Sequence, residues 1–461
     1  MNNYTNCSVL DETCWYDREK RILYCREYGT LCAFEESYEN FQELYSFPRQ
    51  SNLIQIQVDE PYEGEKRLIV SAGCKVGIEK VGELTVFVFP KVKNADFLTM
   101  VNYAYDFLFD FQKEKVELDQ DPRNLTAVFL KFILLQLQKF LAWELRRSIV
   151  KRDEYLTSKV KGKVMLSEYL NNSVPSKRDN LIPCQFHEIQ VDCLENQIIR
   201  YTIEVAQKVL HHIVFSQPLR QEMMSLCNSM LQKMGRVSSR KIELSDFNRV
   251  RYVGRFKHYR YIHELCRVFL EASKIEMQEG RFAFYGFSID MNALFEKFVT
   301  GVLKKEAGLK IDAQKKGSFQ VNGKTKNVRL DGWLSQEKLV FDTKYKETFE
   351  VPQGGDIVEL GPLKILNSDI YQIVAYCNHQ SFYGSTGVLI YPLISTEGNA
   401  EKCYVIEGFN SAVYVLGISL DFKDSRGRPG EILEFVKVFC QVLNKDREME
   451  EDANDTNLGK A

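Results

Sequence analysis

Residues 328–347 read VRLDGWLSQEKLVFDTKYKE, and this stretch decides the fold of the C-terminal part of the chain. Two runs rich in apolar and β-branched residues flank the polar residues 335–338, which is the pattern of a β-hairpin. Side chains alternate along a strand, so Asp342 and Lys344 share one face. Asp331, eleven residues before Asp342, meets them from the partner strand. Two carboxylates and a lysine at a sheet edge make a site for a hard divalent cation. Magnesium suits oxygen ligands, keeps several waters and is completed by a substrate phosphate, and manganese is an alternative. The carbonyl of Thr343 is a further candidate metal ligand. Lys344 can orient or help deprotonate the attacking water and counter charge on the scissile phosphate.

The plain reading of the same residues is an exposed strand with charge pairs. Three features favour the site. Leu339, Val340 and Phe341 place Asp342 at the end of a core strand. Glu296 lies on the preceding amphipathic helix, MNALFEKFVTGVLKKEAG, where it offers a third carboxylate. Gln372 and Tyr376 form an i, i+4 pair on one face of the following helix.

Working outward, the order of helix, hairpin, helix and the strand GVLIYPLI predicts an α/β domain over 281–444. The apolar-poor, acidic residues 445–461 are expected to be a disordered tail. Upstream, helical periodicity in NQIIRYTIEVAQKVLHHIV and YRYIHELCRVFLEASKI predicts a mainly helical middle region over 156–280. The first segment, 1–155, opens with strand-like runs (LIQIQV, RLIVSA, LTVFVFP) and turns helical after Pro90. The class is therefore α+β and multidomain, in keeping with 461 residues.

Composition excludes several functions. With 61 Lys and Arg against 63 Asp and Glu, the chain has no global basic coat for nucleic acid. Local patches remain: NRVRYVGRFKHYRY places Arg249, Arg251, Arg255, Lys257 and Arg260 among four aromatics with no acid, which suits DNA phosphate contacts or a solvated face. Arg146, Arg147, Lys151, Arg152, Lys159, Lys161 and Lys163 form a second basic cluster, read as a solvated face. The most apolar stretch, 125–149, is interrupted by Lys131, Gln136, Gln138 and Lys139, so it reads as a core helix and no membrane partner is expected. The N-terminus lacks the features of a signal peptide, and a cytoplasmic location is expected. Cys7, Cys14, Cys25 and Cys32 contain no CxxC pair and read as reduced thiols. GSFQVNGKT, residues 317–325, has the wrong spacing for a P-loop and leads into a strand, so Asn322-Gly323 reads as a turn and no nucleotide is expected on this chain.

The hairpin resembles the PD-(D/E)xK nuclease core, and the chain as a whole resembles the McrC family, the nuclease subunits of modification-dependent restriction systems. The matching stretches are KVGIEKVGELTVFVFPKV, then YLTSKVKGKVML with IPCQFHEIQVDCLENQIIRYTI, then SIDMNALFEKFV, LDGWL, FDTKYK, SDIYQIVAYC and LIYP, in order over residues 75–395. Leu330 stands where the family usually has proline. The resemblance implies that Asp331, Asp342 and Lys344 are the metal-binding and catalytic set, with Glu296 auxiliary and Gln372 and Tyr376 supporting or contacting DNA. It also implies a partner, the McrB AAA+ GTPase ring, which moves DNA and usually reads modified cytosine such as 5-methylcytosine. The β-rich region holding Gly77, Pro90 and Lys91 would dock into that ring and stimulate GTP hydrolysis. Two other functions stay open: a non-catalytic adaptor of an AAA+ ring, and a stand-alone repair nuclease, against which the N-terminal resemblance argues.

Overall fold

The structure is a computed structural model. It describes residues 14–17, 21–34, 53–62, 65–81, 84–92, 97–105, 125–142, 145–157, 159–173, 180–212, 217–277, 283–321, 324–346, 357–360, 363–393, 403–409, 411–420 and 430–458. The chain forms two compact units, one from Met1–Thr126 with Phe287–Ala461 and the other from Ala127–Gly286. This grouping cuts across the division at 155 and 280: the N-terminal strands and the C-terminal α/β region belong to one unit.

In that discontinuous unit the described residues of the N-terminal part form seven strands: β1 (Cys14–Asp17), β2 (Ile22–Arg26), β3 (Thr30–Phe34), β4 (Ile54–Tyr62), β5 (Glu65–Ala72), β6 (Lys75–Val81) and β7 (Leu84–Phe89). β2 runs parallel to β7, which pairs antiparallel with β6; β3, β5 and β4 form a separate antiparallel sheet. The β4–β5 register shifts between Asp59 and Tyr62, where Pro61 cannot donate to a ladder. Helix α1 (Phe97–Ala104) follows.

The second unit holds α2 (Leu125–Phe140), a sheet of β8 (Ser148–Thr157), β10 (Leu181–Gln190) and β9 (Lys163–Val164), and helices α3 (Leu194–His212), α4 (Gln217–Lys233) and α5 (Tyr259–Ala272), followed by β11 (Ser273–Met277). The middle region is therefore not mainly helical at its start. The basic run after Arg146 is strand β8, paired over ten residues with β10. No apolar alternation marks it, because its residues are all half-buried or exposed. Three of the seven residues of the basic cluster are ion-paired, Arg146 on Glu195 and both Arg152 and Lys161 on Glu188.

The first unit resumes in β12 (Ala283–Asp290) and α6 (Met291–Glu306), capped by the Asp290 carboxylate, which accepts from the amide of Ala293. There follow β13 (Asp312–Ala313), a hairpin of β14 (Lys316–Val321) and β15 (Lys324–Arg329), β16 (Gly332–Leu334) and β17 (Leu339–Thr343). Next come a hairpin of β18 (Ile357–Leu360) and β19 (Leu363–Leu366), then α7 (Asn367–Cys377), β20 (Thr386–Leu393), β21 (Cys403–Ile406), β22 (Val413–Ser419) and α8 (Gly430–Leu458). The sheet order is β13-β16-β17-β20-β22-β21, with β17, β20 and β22 parallel and the edges antiparallel. Helix α7 makes the β17-to-β20 crossover and packs Ile370 and Ile373 on Val340, Leu389 and Val415. Leu330 is fully buried in this same cluster. From the other face of β17, Phe341 meets Phe439 of α8 at 6.4 Å between ring centroids.

Contrary to the expected disordered tail, α8 continues to Leu458, since the acidic run contains no proline or glycine to end it. Asn322 and Gly323, read as a turn, lie outside the described residues; β14 and β15 on either side pair antiparallel, with Val321 opposite Lys324. Among the described residues no helix is long and apolar enough to cross a membrane.

Candidate active site

The expected hairpin is present: Gly332 pairs with Phe341, Trp333 with Val340 and Leu334 with Leu339, around the turn at 335–338. Continuing this register sets Asp331 opposite Asp342. Gly332 is required because a Cβ there would fall 2.1 Å from the Phe341 ring. Asp331 is held by Thr343, whose backbone N–H and hydroxyl both donate to Asp331 Oδ2, at 2.8 and 2.7 Å. Oδ1 lies outside these two bonds.

Alternation on β17 turns Phe341 toward α8 and Asp342 and Lys344 toward α7. Asp342 is only 3% exposed. Lys344 Nζ lies 2.6 Å from Asp342 Oδ2 as an ion pair, yet without hydrogen-bond alignment, so that buried oxygen has no hydrogen-bond partner. Lys344 Nζ instead donates to Gln372 Oε1 at 2.7 Å, and Gln372 Nε2 donates to the Tyr376 hydroxyl. Burial, and next the charge of Asp331, push the Asp342 carboxyl up to about 6. Burial pulls the Lys344 ammonium down, but the carboxylates around it, Asp342 first and then Asp369 and Asp331, together raise it.

Glu296 sits half-buried on α6 and accepts from Gln314 Nε2, while the Gln314 amide donates to the Asp331 carbonyl at 3.1 Å. Burial, then Asp331, raise its carboxyl, so it feels the site. It does not complete a cluster: among the described residues no group of three or more His, Cys, Asp or Glu is placed to hold a metal ion. The donor set that remains is Asp331 and Asp342. A pair of carboxylates, one of them buried beside Lys344, fits a hard cation that takes one or two carboxylates and completes its shell with water and phosphate.

Three residues of this site were not identified from sequence. Gln314, at φ +57°, links Glu296 to Asp331. Lys346 Nζ donates to both oxygens of buried Asp369, at 2.9 and 2.8 Å, and the Tyr391 hydroxyl donates to the same carboxylate. This pair fastens the first turn of α7 to the chain just past β17, which fixes where Gln372 and Tyr376 stand. Only the spacing of Asp369 three residues before Gln372 signalled it.

The basic run at 248–261 lies in the second unit and forms no single helix face. Arg249 closes a 3-10 turn and pairs with Asp246 at 3.1 Å; Arg251 and Lys257 are exposed around a second turn, and Arg260 is exposed on α5. The side chain of Arg255 lies outside the described residues. The interleaved aromatics turn inward: Tyr259 is fully buried against Phe140, and Tyr252 bonds His263.

A family model described as McrBC 5-methylcytosine restriction system component matches residues 70–392. Among solved structures, the chain is similar to one from a refined half-complex of the tetradecameric assembly of Thermococcus gammatolerans McrB AAA+ hexamers with bound McrC. The two share 16% identity at a TM-score of 0.56, over 91% of this chain and 100% of that one, a likeness of fold. It is also similar to a chain in the cryo-EM structure of the Thermococcus gammatolerans McrBC complex, with 18% identity and a TM-score of 0.40 over 62% of this chain and 88% of that chain. No curated protein matches the sequence.

Proposed function

The chain belongs to the family of McrBC 5-methylcytosine restriction system components, and we propose that it is the nuclease subunit of such a system. It hydrolyses DNA phosphodiesters with magnesium, for which manganese can substitute, through a PD-(D/E)xK core. The observation that carries this reading is the meeting of Asp331, Asp342 and Lys344, with Gln372 and Tyr376 bonded in behind them.

Asp331 and Asp342 would hold the cation. When bound, it supplies positive charge at the phosphate and lowers the pKa of water. Thr343 keeps Asp331 turned to the site. Lys344, held between Asp342 and Gln372, contributes a fixed positive charge to the developing phosphorane. Glu296 and Gln314 steady Asp331 from α6 and the strand before it.

The partner proposed is a McrB-like AAA+ GTPase ring, since the structurally similar assembly is described as McrB AAA+ hexamers with bound McrC. This chain would stimulate the ring's GTPase, bind no nucleotide itself, act in the cytoplasm and leave recognition of the modified base to the ring. The test is plasmid cleavage with the ring, magnesium and GTP, comparing wild type with Asp342→Ala and Lys344→Ala. Each substitution should remove most of the cleavage, about 100-fold or more, and leave GTPase stimulation intact. Cleavage unchanged in both would reject the catalytic assignment. A wild type that stimulates GTP hydrolysis but never cuts would leave an adaptor.

A further inference from the structure

Beside the carboxylate pair lies a half-open cleft of about 490 Å³ whose lining includes Lys344 and Lys346 from the nuclease region, Asn292 from α6, and Tyr28 and Lys91 from the N-terminal strands. No carboxylate is among the described residues that line it. Asp342 and Asp369 hold the two nuclease lysines from behind. The Lys91 ammonium stands 4.4 Å from the centroid of the Tyr28 ring and 5.2 Å from that of Tyr345.

Tyr28 is the informative residue. It follows β2 at φ +62°, a conformation that is an outlier for a bulky side chain, although Gly29 comes next. Such strain persists where the surroundings impose it, and it collects at binding and catalytic positions. The Tyr28 side chain is 45% exposed, and its hydroxyl accepts from Asn292 Nδ2 at 3.0 Å. That bond uses a lone pair and leaves the O–H proton to be donated. Asn292 is itself exposed in the first turn of α6, one turn before Glu296 on the same face.

We propose that this cleft seats a DNA backbone phosphate next to the scissile one, bound by the Tyr28 hydroxyl and the Asn292 amide, so that the N-terminal module forms part of the nuclease's own substrate surface. The inference rests on the nuclease reading above. It gives that module a role at the site of chemistry in addition to any docking.

The test uses the full chain, a labelled 20-base-pair duplex in low salt without divalent cation, and the variants Tyr28→Phe and Asn292→Asp. Phenylalanine keeps the ring that Lys91 stands over, and an acid in the first turn favours a helix, so neither variant should lower Tm by more than a few degrees. Tyr28→Phe should weaken binding about fivefold and Asn292→Asp about tenfold, the second loss shrinking as salt screens the added charge. Wild-type affinity in both variants, or no duplex binding by wild type, overturns the proposal. A loss accompanied by an equal fall in Tm assigns both residues to the fold and overturns it too. Asp342→Asn, assayed in parallel with the ring, keeps the two readings apart. If it still cuts, the nuclease reading fails. If it does not cut while the cleft variants bind normally, the cleft proposal alone fails.

Discussion

Thr343 holds Asp331 with two hydrogen bonds while standing next to Asp342 and Lys344, so one side chain links both strands of the hairpin. Its backbone amide makes one of those bonds whatever the side chain; its hydroxyl makes the other. Thr343→Val keeps the β-branched shape and removes only the second. A lost hydrogen bond of this kind costs about 1 kcal/mol of stability, whereas misplacing a metal ligand or catalytic group by an ångström costs about 100-fold in rate. Cleavage should therefore fall by one to two orders of magnitude, about 10- to 100-fold, with a Tm shift of only a few degrees. Denaturation curves and cleavage assays on the same preparation check this, and a rate equal to wild type would remove Thr343 from the positioning network. The convergence of Asp331, Asp342 and Lys344 was readable because strand alternation and a short turn are local rules. Gln314 was not, because its contacts with Glu296 and Asp331 depend on a left-handed backbone that no local pattern around Lys315 and Lys316 announces.

Among elements, the contrast between the hairpin and strand β8 shows what sequence patterning encodes. β16 and β17 bury Leu334, Leu339, Val340 and Phe341 completely, and that apolar density marks them as strands. β8 buries nothing fully, so it carries charge on both faces and reads only as a basic, solvated stretch. Helices α2, α3 and α5 of the second unit were legible, α4 was not, and neither was their fastening. Helix α5 is tied to the start of α3 by fully buried His263, whose Nε2 lies 2.9 Å from the Glu195 carbonyl and whose Nδ1 lies 3.1 Å from the Tyr252 hydroxyl. Nε2–H donates to the carbonyl, and Nδ1 accepts from the phenol, so the ring is neutral. Burial lowers its pKa to about 4, the bond to Glu195 opposing only in part. A depressed histidine is protonated in the unfolded chain before the folded one. Its contribution is thus complete above about pH 6.5 and is lost as pH falls toward 4, on the order of 3 kcal/mol in all. Unfolding midpoints should drop across that window, and His263→Gln should flatten the drop; an equal slope in the variant would place the proton uptake elsewhere.

For the whole molecule, the consequential finding is that the first 126 residues and the last 175 belong to one compact unit. Sequence order suggested a docking module followed later by a separate nuclease domain. The physical reason for the difference is packing between segments far apart in the chain, which no window of sequence contains. Helix α1 lies on α6 so closely that a Cβ on Gly301 would sit 1.9 Å from the Tyr103 carbonyl oxygen. Tyr103 also stacks edge-on against Phe298 at 6.0 Å and donates to Glu306 at 2.9 Å. Phe97, Met100 and Val101 of α1 are almost completely buried. Each buried apolar side chain of that size contributes about 1.5–3 kcal/mol, and domains have only about 5–15 kcal/mol in total. Taking α1 away from α6 therefore removes a large share of what holds the nuclease sheet and its helices. Residues 287–461 expressed alone should lack a cooperative thermal transition and bind an apolar dye. Adding residues 1–126 in trans should restore the transition. Cooperative unfolding of the C-terminal fragment by itself would show that the N-terminal strands and α1 only lean on an already complete domain. The cleft shared by Tyr28 and Lys344 would then be a contact that the nuclease can fold without.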